Sequence, residues 1–159
     1  MMQPMEAVVL ASASPRRLAL MRQAGIPVIQ IPVDVDESMP SESSLEEARA
    51  VTEILARRKV ERLLADHPVH GDSWVLGADT VVFCGSRLLG KPRNVSEAGE
   101  FLDLLSGKTH QVITGVALRG RKTGRICSAS ELTEVTFRPL TEEDLSWYLS
   151  SGEWSDAAG

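Results

Sequence analysis

The chain is poor in aromatic side chains, which make up 4% of its 159 residues. Its core must therefore be built mainly from leucine, valine, isoleucine and alanine, and no basic stripe with interleaved aromatics offers a platform for single-stranded nucleic acid. Cysteine is almost missing. Cys84 and Cys127 have neither zinc-ligand spacing nor the density of a disulfide framework, and a reducing compartment is the default expectation. There is no excess of positive charge: 17 Lys and Arg stand against 22 Asp and Glu, a net charge of -5. A general nucleic-acid binder is disfavoured, although a local basic cluster can still meet an anionic substrate. Long apolar runs and a signal peptide are also missing, so the expectation is a cytoplasmic protein with no membrane partner. Repeats and low-complexity segments are lacking. With 43% hydrophobic and 25% charged residues, the chain has the balance of one ordinary globular domain, expected over residues 1–159.

The stretch at 75–83, Val-Leu-Gly-Ala-Asp-Thr-Val-Val-Phe, reads as a buried strand. Asp79 lies in its middle. An ionised carboxylate in apolar surroundings costs several kcal/mol, on the order of the unpaired-charge penalty, unless a cation, a metal or donors compensate it. Asp79 is thus either a chemical group or the cap of a following turn. Gly77 and Ala78 leave room for a ligand or another backbone to approach.

Residues 6–11 read as a first strand, followed at once by Ser12-Ala13-Ser14-Pro15-Arg16-Arg17. Ser14 is a good N-cap and Pro15 suits the first helical position; Gly25 ends the helix. Capping explains Ser14 and Pro15. It does not explain Arg16 and Arg17, whose charge opposes the helix dipole. Hydroxyls, guanidinium groups and free N–H groups at a helix start favour phosphate binding here. A second strand is expected at 28–33, with Pro32 marking an edge or an end. Asp34, Asp36 and Glu37 then form either a solvated acidic loop or a magnesium-binding and charge-balancing group.

Ser44 and Glu47 form a capping box for a helix reaching about residue 65. Its apolar stripe, Ala48, Val51, Leu55 and Leu63, is interrupted by Lys59. Lys59 either snorkels to water or points its ammonium into a cleft. After the central strand come a hairpin turn at Gly85-Ser86 and a return strand at 87–89. Lys91 then lies between Gly90 and Pro92, its place set by backbone geometry. The spacing is not that of a Walker P-loop, and no kinase signature is present. A helix at 94–105, strands at 108–118 and 126–137, and a last helix from Thr141 complete the reading, with Trp147 and Leu149 expected to pack inward.

Taken in order, Ser12-x-Ser14-Pro15-Arg16-Arg17, Asp36-Glu37, Ala56-Arg57-Arg58-Lys59, Gly77-Ala78-Asp79-Thr80, Gly90-Lys91-Pro92, the run from Leu105 to Val112 and Thr114-Gly115-Val116 resemble the Maf family of nucleotide pyrophosphatases. The resemblance spans about residue 8 to the end. It implies an α/β fold similar to the inosine triphosphatase group, with a mixed twisted sheet, flanking helices and a cleft between two lobes. It also implies hydrolysis of nucleoside triphosphates to monophosphate and pyrophosphate with Mg²⁺ or a similar ion such as Mn²⁺, often by a homodimer, and a link to septum formation. On this resemblance Asp79 matches the catalytic aspartate. Glu37, Lys59 and Lys91 match the other acidic and basic active-site positions, with Asp79 and Glu37 as metal ligands. Ser12, Ser14, Arg16 and Arg17 match the nucleotide-contacting loop. Arg16 and Thr80 resemble the branch acting on dTTP and UTP, not that acting on 7-methyl-GTP. The family usually continues beyond the motif at 156–159 into an Ile-Gln-Gly segment and a Gly-Leu-Pro, which this sequence lacks. The expectations are therefore a C-terminally shortened pyrophosphatase or, alternatively, a catalytically impaired nucleotide-binding or division-related protein.

Overall fold

The computed structural model describes residues 6–70 and 72–158; Gly159 of the C-terminal motif lies outside them. The elements follow in the order β1 (Val8–Ala11), α1 (Pro15–Gln23), β2 (Val28–Gln30), α2 (Leu45–Asp66), β3 (Trp74–Cys84), β4 (Arg87–Leu89), α3 (Val95–Leu105), β5 (Thr109–Arg119), β6 (Ile126–Thr136) and α4 (Glu142–Ser151). The sheet is mixed. Its order is β2-β1-β3-β5-β6, with β4 paired to β3; β1 runs parallel to β2 and β3, and β3–β4 is antiparallel. No described helix is long and apolar enough to cross a membrane. The chain divides into two compact units.

The first unit comprises the chain up to Glu37, Glu53–Asp79 and Gly115–Ala129. Its core joins Val9 and Ala11 of β1, Val75 of β3 and Ala117 of β5 to Ala56, Val60 and Leu63 of α2. The helical residues recur at three- and four-residue spacing, which puts them on one face. The α1 signals act as the sequence implies. Ser14 accepts the Arg17 N–H, Pro15 opens the helix, and Gly25 takes the left-handed conformation with φ of 71°. The Gly25 N–H donates to Arg22 and the Ile26 N–H to Met21, closing a Schellman motif. β2 is shorter than the expected 28–33. The Ile31 N–H still reaches the Leu10 carbonyl, but Pro32 has no N–H with which to continue the ladder. β2 lies at the sheet edge, as that proline requires.

Gly77 shows which of the two close approaches operates. A Cβ there would lie 2.2 Å from the Ala56 carbonyl oxygen and 3.0 Å from Val60 Cγ2. The neighbour admitted by Gly77 is the backbone of α2.

The second unit comprises Ser38–Thr52, Thr80–Thr114 and the chain from Ser130 onward. One core cluster gathers Ala48, Val81, Phe83, Leu88 and Ile113; another gathers Val82, Cys84, Leu89, Phe101 and Leu105. Asn94 caps α3 by accepting the Glu97 N–H, and Thr141 with Asp144 forms a capping box on α4. Cys84 is buried, Cys127 of the first unit is exposed, and both are free. Trp147 does not pack inward; it is 70% exposed. The sheltered positions of α4 are Asp144, Leu145, Tyr148 and Leu149, spaced so that they share one face, from which position 147 is rotated away. Leu149 does pack, against Gly99 of α3.

Candidate active site

The parallel register of β1 on β3 pairs Ala11 with Gly77. Within the first unit this sets the loop after β1 beside the segment at 78–79. Ser12 is buried. Its hydroxyl accepts the Ser14 N–H and Arg17 Nη1, each at 3.2 Å, and the same Nη1 donates to the Ala78 carbonyl at 2.9 Å. Arg17 thus ties the Ser12–Ser14 loop to the residue before Asp79. Arg16 is exposed.

Lys59 does not snorkel. It is only 6% exposed, and Asp79 only 5%. Lys59 Nζ lies 2.5 Å from Asp79 Oδ1 and 2.7 Å from Glu37 Oε1, and it donates to the Ala78 carbonyl at 3.4 Å. One ammonium therefore holds two carboxylates from segments far apart in sequence. Glu37 side-chain exposure is 40%, so the pair combines a buried carboxylate with a solvent-reaching one. Arg58, next to Lys59 on α2, donates to the Asp36 carbonyl and anchors the backbone next to Glu37.

The buried position of Asp79 pushes its carboxyl above the ordinary range. Lys59 opposes that shift by charge and hydrogen bonding, Glu37 adds to it, and Arg17 lowers it slightly. Burial is the larger effect, because the low-dielectric surroundings penalise the ionised form more than a single shared cation restores it.

Asp79 and Glu37 provide two carboxylates. Among the described residues no group of three or more His, Cys, Asp or Glu is placed to hold a metal. Two carboxylates completed by substrate phosphate oxygens are a donor set suited to Mg²⁺, so the residues present fit that ion.

Two candidates belong to the second unit. Thr80 Oγ1 shares a hydrogen bond with Thr114 Oγ1 at 3.0 Å. Lys91 is exposed and pairs with Asp156 at 3.2 Å. Sequence reasoning did not give Gln30, Arg58, Thr114 or Asp156 the partners they have here. Their contacts span 16 to 65 residues, beyond the reach of any local pattern.

The β-strand register, the buried lysine between two carboxylates and the arginine-bearing loop together define an α/β protein with a polar centre suited to an anionic ligand. This chain belongs to the Maf family: the family model described as Maf-like protein matches residues 7–159. It is 45% identical over 152 residues to a dTTP/UTP pyrophosphatase of Myxococcus xanthus, covering 96% of this chain and 73% of that relative. It is 41% identical over 155 residues to a dTTP/UTP pyrophosphatase of Bacillus cytotoxicus, covering 98% and 77%. Among solved structures, the Staphylococcus aureus Ham1 protein matches with a TM-score of 0.53 at 13% identity, over 81% of this chain and 70% of that one. That last likeness is one of fold.

Proposed function

We propose that this chain is a nucleoside triphosphate pyrophosphatase that converts dTTP or UTP to the monophosphate and pyrophosphate. The observation that carries the reading is the Lys59 ammonium held by Asp79 and Glu37, in a family whose relatives bear the name dTTP/UTP pyrophosphatase.

Cleavage between the α and β phosphates requires charge neutralisation, a placed water and an acceptor for its proton. Arg16, Arg17, Lys59 and Lys91 are assigned to the triphosphate charge, and Ser12, Ser14 and Thr80 to the nucleotide. Asp79 orients the water and takes its proton as the water oxygen bonds to the α-phosphorus. The bond from the α-phosphorus to the bridging oxygen breaks, and pyrophosphate leaves with its electron pair. The upward shift of Asp79 makes its carboxylate a stronger base than a solvated aspartate. Asp79 and Glu37 would hold Mg²⁺ or Mn²⁺, and the ion would supply further neutralisation of the phosphates. The same reading carries one family domain across the chain, a homodimer, a cytoplasmic location and the link to septum formation.

The test is pyrophosphate release from dTTP, UTP, CTP and 7-methyl-GTP with Mg²⁺, beside Asp79→Asn. Release from dTTP or UTP that falls by about a hundredfold or more in the variant, with folding retained, is the expected result. Near-normal turnover in Asp79→Asn removes that residue from the chemistry. Nucleotide binding without release replaces the enzyme reading with that of a nucleotide-binding protein.

A further inference from the structure

We infer that Gln30 is a positioning residue that sets the conformation of the Ser12–Arg17 loop for triphosphate binding; this rests on the pyrophosphatase reading above. Gln30 is the last residue of β2, and the parallel register pairs it with Leu10, two residues before Ser12. Its side-chain amide reaches along the sheet edge to the loop. Nε2 donates to the Ser12 carbonyl at 2.9 Å and to the Ser14 carbonyl at 3.2 Å. Both partners are carbonyl oxygens, which only accept, so the amide must present its NH₂ group to them.

The loop is held from two sides. Gln30 takes the carbonyls of Ser12 and Ser14, while the Ser12 hydroxyl accepts the Ser14 N–H and the Arg17 guanidinium. Each trans peptide sets its N–H opposite its C=O. Turning the Ser12 carbonyl toward Gln30 therefore turns the Ala13 N–H away from it. The Ser14 carbonyl also accepts the Leu18 N–H, so Gln30 grips the peptide that starts α1. From there Arg17 continues to the Ala78 carbonyl. Gln30 thereby orients hydroxyls, N–H groups and a guanidinium without itself being one of the residues assigned to contact substrate. Neither Asp79 nor Lys59 depends on it for a hydrogen bond, so substrate affinity carries its effect more than the chemical step.

The experiment compares dTTP turnover, followed by pyrophosphate release, in the unaltered chain, Gln30→Leu and Gln30→Glu, with thermal unfolding of each. Leucine removes both donors; glutamate turns a negative carboxylate toward two carbonyl oxygens. Expected are a KM raised about tenfold by Gln30→Leu and further by Gln30→Glu, a kcat within about threefold of the original, and cooperative unfolding in all three. An unchanged KM in both variants, or a loss confined to kcat, overturns the inference. If the unaltered chain releases no pyrophosphate, the enzyme reading fails and dTTP affinity by calorimetry decides. Binding weakened about tenfold by Gln30→Leu supports the positioning role. Equal binding in the two chains, or no binding by either, overturns it.

Discussion

Arg17 donates from Nη1 to the carbonyl of Ala78 at 2.9 Å, although 61 residues separate them in sequence. The same guanidinium nitrogen donates to the Ser12 hydroxyl. The Ser12–Ser14 loop and the residue before Asp79 therefore share one cation. Lys59 reaches the same carbonyl and, beyond it, the Asp79 carboxylate. Arg17 and Lys59 thus meet at the Ala78 carbonyl, and substitutions of the two are not expected to act independently.

Lys59→Ala leaves Asp79 buried without its main counter-charge. Loss of one partner from a buried pair costs about 3–5 kcal/mol, and chemical denaturation should show a destabilisation of that size. The double variant Lys59→Ala, Asp79→Asn should lose less than the sum of the two single losses, because the uncompensated carboxylate is gone. Strict additivity would show that the two side chains are not coupled in solution.

Gly77→Ala tests the contact between α2 and β3. The added methyl carbon would meet the Ala56 carbonyl oxygen at 2.2 Å, and backbone cannot swing aside as a flexible side-chain end can. A destabilisation of about 3 kcal/mol is expected, seen as a drop of about 6–12 °C in Tm. An unchanged Tm would mean that helix and strand separate without cost.

Lys91→Ala separates phosphate binding from nucleoside binding. The Lys91–Asp156 pair is exposed, so its loss should scarcely alter stability. Affinity for the triphosphate should fall about tenfold, as for loss of a charged hydrogen bond, while affinity for the monophosphate changes less. Equal losses for the two ligands would remove Lys91 from the β and γ phosphates.

His110 makes stability depend on acid. It is 2% exposed and its ring meets Phe137 edge-on at 4.9 Å, and Nδ1 has no hydrogen-bond partner among the described residues. Burial lowers its pKa below the usual 6.5, partly offset by a hydrogen bond to the Lys108 backbone. Above about 6.5 both folded and unfolded chains hold a neutral ring. As pH falls below that value the unfolded chain takes up the proton first, so stability declines through the lowered folded pKa. Urea unfolding at pH 7.5, 6 and 5 should show that decline, and His110→Leu should flatten it. An identical pH dependence in the variant would assign the decline to other groups.

Local signals placed most elements. Ser14 with Pro15, the Ser44–Glu47 box, Asn94 and Thr141 act over three residues, and each operates in the structure. The interruption of the α2 stripe by Lys59 was visible in the sequence, but its meaning was not. A lysine at helical spacing snorkels or enters a cluster according to what faces it, and only the placement of Asp79 and Glu37 decides that. The inward packing expected for Trp147 failed for a related reason. An aromatic residue near the chain end is apolar in composition, yet its burial depends on which face of α4 meets α3.

By itself the sequence determined the order of strands and helices, their caps, the ordered motifs of the Maf family and the identity of the charged candidates. These follow from short-range hydrogen bonding, φ restrictions and residue chemistry, all written within a few positions of each other. Tertiary structure alone decided that Ala56 is the backbone admitted by Gly77, that Lys59 serves two carboxylates at once, and that Gln30 holds the loop through Ser12 and Ser14. Each is set by strand register and helix packing, in which a shift of one residue would turn a side chain to the opposite face.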